Sequence, residues 1–155
     1  MALEPFISSD LTFVLDRVSS RDELFALLAA KVSAKVPGLN SDALLQRLID
    51  RERQMPTSTP EGIAFPHAIA PEINRTLLAV ARVDEGVDFG AEDHPRCRLI
   101  FCMFGSSRDP WEHVRLLARL SRICRTEKAR SRLRACDSAE RLHASLLEED
   151  RSHDS

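Results

Sequence analysis

The sequence has no CxxC pair among its four cysteines, and so few thiols in a 155-residue chain exclude a disulfide scaffold and read as reduced cysteines. Nor is there an excess of charge of one sign. Lys plus Arg number 22 against 24 Asp plus Glu, a net charge of -2, which argues against a surface built for nucleic acid. No apolar run approaches the roughly 18 residues a membrane helix needs, and MALEPFISSD lacks the basic start and apolar stretch of a secretory leader. The expectation is a soluble, cytoplasmic protein without membrane insertion. HxxxH, HExxH and paired CxxC spacings are missing, so His67, His94 and His113 do not read as a metal set, and no cofactor is expected. Without a GxSxG elbow a serine hydrolase has no support either.

What is there begins with length. The chain suffices for one domain over residues 1–155, with a core from about 11 to 148 and a polar tail, EEDRSHDS, expected to fray. LTFVLD (11–16) is β-prone, and Ser20 with Glu23 has the form of a capping box for a helix bearing Leu24, Leu27, Leu28 and Val32. After the Pro37-Gly38 break, Ser41 opens a second helix with Leu44, Leu45, Leu48 and Ile49, which must stop before Pro56. TSTPEGIAFPHAIAP reads as loop, brief strand, loop. TLLAVARV (76–83) and RLIFCMF (98–104) are nearly continuous apolar runs of strand length, the mark of strands covered on both faces. Asp109, Pro110 and Glu112 fit the N-cap, N1 and N3 of a third helix, Thr126 caps a fourth, and Asp137 with Glu140 caps a fifth. The order β-α-α-β-β-β-α-α-α implies an α/β fold, a three-layer α-β-α sandwich around a mixed sheet.

Two histidines stand out. His67, in GIAFPHA, follows a proline that stiffens the backbone and presents the ring, although a turn-capping histidine fits the same stretch. His113 lies near the start of the third helix on the edge of its apolar stripe, where free N–H groups suit an anion; a satisfied core histidine is the competing reading. Arg51 ends the second helix, where a cation is favoured regardless of function. The series Arg115, Arg119, Arg122, Arg125, Lys128, Arg130, Arg132 and Arg134 forms either a solvated face or a dock for an acidic partner.

Taken together, Arg51-Glu52, Thr57, GIAFPHA, Gly86-Val87-Asp88-Phe89 and His113-Val-Arg-Leu-Leu-Ala-Arg-Leu resemble the enzyme IIA domain of the fructose/mannitol and nitrogen-regulatory class of the phosphoenolpyruvate-dependent phosphotransferase system. The likeness spans about residues 11 to 148. It implies that His67 accepts a phosphoryl group from HPr or a nitrogen-branch HPr-like carrier, that Arg51 and His113 line the site, and that no metal or cofactor is needed. It also implies a place in either a regulatory branch, with a regulated target protein, or a sugar branch, with a IIB protein. The alternative from another class is a docking module that keeps the fold without phosphorylation. Ser58 and Pro60 stand where the family pattern carries glycines, which stiffens the loop before His67. The imidazoles are expected about one phosphoryl group apart with Arg51 in the same cleft, and His94 outside it.

Overall fold

In the computed structural model of the chain, which describes residues 1–153, five strands form one mixed sheet. They are β1 (Thr12–Leu15), β2 (Ile63–Ala64), β3 (His67–Ala70), β4 (Leu77–Val87) and β5 (Cys97–Ser106). Across the sheet β1 runs parallel to β4, β4 antiparallel to β5, and β2 and β3 both parallel to β5 along its other edge. The brief strand expected near GIAFPHA is therefore two short strands interrupted at Phe65-Pro66. Proline has no N–H to donate, but the Pro66 carbonyl still accepts from the Met103 amide at 2.9 Å, so the edge resumes with His67 opposite Met103.

Both long strands are buried on both faces. Ala79, Ala81, Val83, Ile100, Cys102 and Phe104 face one cluster, built with helices α1 (Arg21–Ser33) and α2 (Ser41–Gln54). Leu78, Val80, Leu99, Phe101 and Met103 face the other, built with α3 (Glu112–Ile123), α4 (Glu127–Arg134) and α5 (Ala139–Ser152). Alternation along a pleated strand sends neighbours to opposite faces, so a continuous apolar run needs helices on each side.

The caps show which local signals were sufficient. Ser20 Oγ accepts from the Glu23 amide and Thr126 Oγ1 from Ala129, as their spacings predict. Ser41 opens α2 as expected, with Asn40 as its cap. Two caps differ. Ser138, not Asp137, caps α5. The third helix starts at Glu112 rather than just after Asp109, because Asp109 Oδ1 closes a turn onto the Trp111 amide and the Glu112 carboxylate reaches across to the Thr76 amide.

Both chain ends pack further into the domain than the expected core of about 11 to 148. Leu3, Phe6 and Ile7, ahead of the expected core, are buried in the second cluster. The polar tail does not fray from residue 149: α5 continues to Ser152, and Asp150 is buried. Asp150 takes Arg119 Nε on Oδ1 at 2.6 Å and the Leu3 amide on Oδ2 at 2.9 Å, while Arg119 Nη2 donates to the Asp150 carbonyl at 2.7 Å. Residues 154 and 155 of that tail lie outside the described residues.

Candidate active site

His67 opens β3 and is half-buried. Its Nδ1 lies 3.3 Å from the Phe65 carbonyl, and its Nε2 accepts from Arg51 Nε at 3.2 Å. A carbonyl only accepts and a guanidinium only donates, so the two contacts together select one tautomer, protonated on Nδ1 with the lone pair on Nε2. Burial is the main cause that lowers the His67 pKa from its ordinary 6.5; the Phe65 carbonyl opposes it, and the nearby Arg51 and His113 add to the lowering.

Arg51 reaches this ring because it lies in the last turn of α2, where its Nη1 also donates to the Met55 carbonyl at 3.0 Å. Next to it, Glu52 is buried at 3% exposure, and its carboxylate accepts from the Thr57 amide at 2.6 Å and from Thr57 Oγ1 at 2.7 Å. The Thr57 carbonyl in turn accepts from the Phe65 amide at 3.0 Å, which folds the loop back beside the site.

His113 stands in the first turn of α3 and stacks on His67, with ring centroids 5.4 Å apart and planes 29° from parallel. Its pKa is lowered by burial. His113 Nδ1 is buried without a hydrogen-bond partner, and it packs against Gly105 of β5, where an added Cβ would stand 3.5 Å from that nitrogen and 2.6 Å from Ile69 Cδ1. A glycine here gives the second imidazole room to lie against the first. The fold thus collects Arg51, His67 and His113 from α2, β3 and α3 at one place.

His94 is occupied elsewhere: its Nδ1 pairs with Ser58 Oγ at 2.8 Å. Ser58 is buried and also bridges Ala64, so the serine standing at a family glycine is a cross-tie between two loops rather than an open lip. Pro60 is exposed. Among the described residues no cluster of His, Cys, Asp and Glu is arranged to hold a metal ion, and no helix is long and apolar enough to cross a membrane.

Residues 5–149 match the family model described as phosphoenolpyruvate-dependent sugar phosphotransferase system, EIIA 2. The chain belongs to this enzyme IIA family. A nitrogen regulatory protein of Bradyrhizobium diazoefficiens is 29% identical over 84% of each chain. A fructose-specific EIIA component of Haloferax volcanii is 32% identical over 69% of this chain and 70% of its own length. Among solved structures, the nitrogen regulatory protein IIA-Ntr of Neisseria meningitidis superposes with a TM-score of 0.84 at 26% identity, covering 93% of this chain and 98% of that one. The IIA mannitol domain of Escherichia coli, at 23% identity and a TM-score of 0.72, shares the fold, covering 88% of this chain and 96% of that one.

Two features of this enzyme IIA site escaped the residue-by-residue reading. Glu52 does have a sequence signal: an acid in the last turn of a helix opposes the helix dipole, and that conflict signals a specific partner. Gly105 gave no sequence signal, since its role depends on β3 and α3 meeting over β5. Most of the arginine series lies on the solvated face, with Arg115, Arg122, Arg125, Lys128 and Arg132 exposed, but not all of it. Arg119 is buried against Asp150, and Arg130, Arg132 and Arg134 pair with Glu127, Glu148 and Glu149. Arg115 alone of the pair nearest His113 is exposed, and it meets Asp109 at 2.6 Å.

Proposed function

We propose that this chain is a phosphohistidine carrier in which His67 Nε2 accepts a phosphoryl group from an HPr-type protein and passes it on. The observation that carries the reading is the environment of that one nitrogen: a lone pair facing an arginine, with a second imidazole stacked alongside. In the transfer, the Nε2 lone pair forms the new N–P bond as the donor nitrogen recovers the electron pair of its own. Arg51 turns its fork from Nε2 onto the incoming phosphoryl oxygens. His113 donates a hydrogen bond to the same group as its charge spreads in a loose transition state, and the Nδ1–H bond to Phe65 holds the His67 ring in line. Depressed pKa values keep both rings neutral near pH 7, where the nucleophile needs its lone pair.

The surroundings favour a protein as donor. Ile69, two residues after His67, is 39% exposed, and Trp111 and Val114, beside His113, are 67% and 44% exposed. Met55, whose carbonyl Arg51 holds, is 66% exposed. Large apolar side chains gathered beside a polar site suit a protein surface. Incubation with phosphoenolpyruvate, enzyme I and HPr-type carriers, read by intact mass, tests this: one added phosphoryl group on the wild type and none on His67→Ala is expected. An unmodified wild type would leave the non-phosphorylated docking module.

Within that role we place the chain in a regulatory branch, in the cytoplasm, with a target protein that distinguishes phosphorylated from unphosphorylated His67. The nitrogen regulatory relatives cover most of the chain, and exposed Arg115 stands on the same helix as His113, two residues on, where a partner could read the added phosphoryl charge. The second reading is a sugar IIA component, supported by the fructose-specific relative and by a solved neighbour titled as a complex of IIA mannitol with phosphorylated IIB. Efficient transfer from phosphorylated protein to a sugar-specific IIB protein would favour the second.

A further inference from the structure

Two consecutive residues in the last turn of α2 act on opposite nitrogens of His67. Arg51 does so directly, at Nε2. Glu52 is buried, and its two carboxylate oxygens hold the amide and hydroxyl of Thr57. The Thr57 carbonyl then holds the Phe65 amide, and the Phe65 carbonyl receives Nδ1 of His67. We infer that Glu52, through Thr57 and Phe65, is a positioning residue that sets the Nδ1-protonated tautomer and aim of the His67 ring; the inference rests on His67 being the phosphoryl acceptor.

Several observations favour this over a merely structural role for Glu52. A buried carboxylate at a helix C-terminus is electrostatically opposed by the helix dipole, and a neutral residue there would avoid that cost. Its charge is felt at Cys97 and Cys102 of the neighbouring β5, whose thiols it helps to raise beyond the larger effect of their burial. Both hydrogen bonds it accepts are short and charge-assisted, the kind that fixes geometry most tightly. The loop between Thr57 and Phe65 turns at Gly62, φ +79°, a conformation that glycine adopts without steric cost and that brings Phe65 back beside Thr57. The ends are held by the Thr57 to Phe65 bond. Without the carboxylate, the Thr57 end of this relay loses both of its side-chain holds, and the aim of the Phe65 carbonyl at Nδ1 rests on the pairing of Ala64 with Ile100 and of Pro66 with Met103 alone.

The relay distinguishes the two nitrogens chemically. A phosphoryl acceptor must offer the unprotonated nitrogen to the donor, and an Nε2–H tautomer presents a proton instead. Arg51 cannot enforce this by itself during transfer, because its fork is then engaged with phosphoryl oxygens. The Nδ1 side must hold the tautomer at that moment.

Long-range nitrogen–proton NMR of the His67 ring, near pH 7.5 on the unphosphorylated full chain, tests the inference alongside the rate of phosphorylation by the HPr-type carrier. The wild type is expected to show Nδ1 protonated and Nε2 bare. Glu52→Gln, which keeps the shape but places an amide donor opposite a Thr57 donor, and Thr57→Val, which removes one of the two bonds, are expected to raise the Nε2–H population. They should slow phosphorylation about tenfold, the effect of one charge-assisted hydrogen bond. Thr57→Ser should restore both. Folded Glu52→Gln and Thr57→Val variants with wild-type tautomer ratios would overturn the inference. So would a wild type found protonated on Nε2. Because the ring spectra need no phosphoryl donor, a chain that proves never to be phosphorylated would defeat the carrier reading while the spectra still decide the role of Glu52.

Discussion

His67 and His113 stack face to face at 5.4 Å between ring centroids, one from the edge strand β3 and the other from the first turn of α3. Neither ring carries an acid partner among the described residues, and burial lowers the pKa of both. Two imidazoles this close cannot both be cationic without repulsion, so the pair is held neutral and ready to meet an anion rather than to be one half of an ion pair.

The first prediction concerns Arg51. Removing the fork in Arg51→Ala should lower the rate of phosphoryl acceptance by about a hundredfold, and Arg51→Lys should recover only part of it, because a point charge cannot make two parallel bonds to phosphoryl oxygens. Single-turnover transfer from a phosphorylated carrier, followed by mass, measures this. Equal rates for Lys and Arg at this position would show that charge alone suffices.

The second concerns pH. Both histidines have folded-state pKa values below the ordinary 6.5, so as pH falls the unfolded chain takes up protons before the folded one does. The stability contributed by the neutral pair is complete above about pH 6.5 and is lost progressively below it, through the lowered folded values. Melting temperature should therefore fall from pH 7 toward pH 5, and His113→Gln should flatten part of that slope. Phosphorylation should follow the same direction, level above pH 7 and falling in acid as His67 protonates. A wild type whose stability rises on acidification in this range would contradict the burial argument.

The third concerns Arg119, a cation expected on a docking face and found in the core. Arg119→Ala leaves the Asp150 carboxylate buried without its guanidinium, a loss of about 3 kcal/mol or more, and should lower the melting temperature by roughly 10 °C. Because Asp150 also holds the Leu3 amide, its loss should release the N-terminal segment as well, read as faster amide exchange over residues 3–7. Exchange unchanged there, in a destabilised Asp150→Ala, would show that packing of Phe6 and Ile7 suffices.

The fourth concerns partner docking. Trp111→Ala, at an exposed apolar residue, should raise the KM for the carrier several-fold while leaving the maximal transfer rate nearly unchanged, since the side chain offers apolar area to a partner and no group to the phosphoryl transfer. Arg115→Glu should alter binding of a regulated target while Arg119→Lys should not, because only the former side chain is exposed. Pull-downs comparing these variants in phosphorylated and unphosphorylated protein check the claim.

The sequence by itself determined the layers. Continuous apolar runs of strand length at 76–83 and 98–104 point to strands with helices over both faces, and the periods of Leu24 to Val32 and Leu116 to Ile123 fix which sides of those helices are buried; these are local patterns read from side-chain spacing alone. GIAFPHA together with Arg51 and His113 was legible as a resemblance because chemistry fixes residue type at a site even where spacing says nothing about contact. Tertiary structure alone decided which charges are surface and which are core. Arg119 and Asp150 look like any exposed helical charges, and Glu52 looks like a misplaced acid, until α3 meets α5 and the end of α2 meets the loop at Thr57. A charge becomes buried only when a second element closes over it, and the identity of that element is a property of packing between distant segments, which no local pattern encodes.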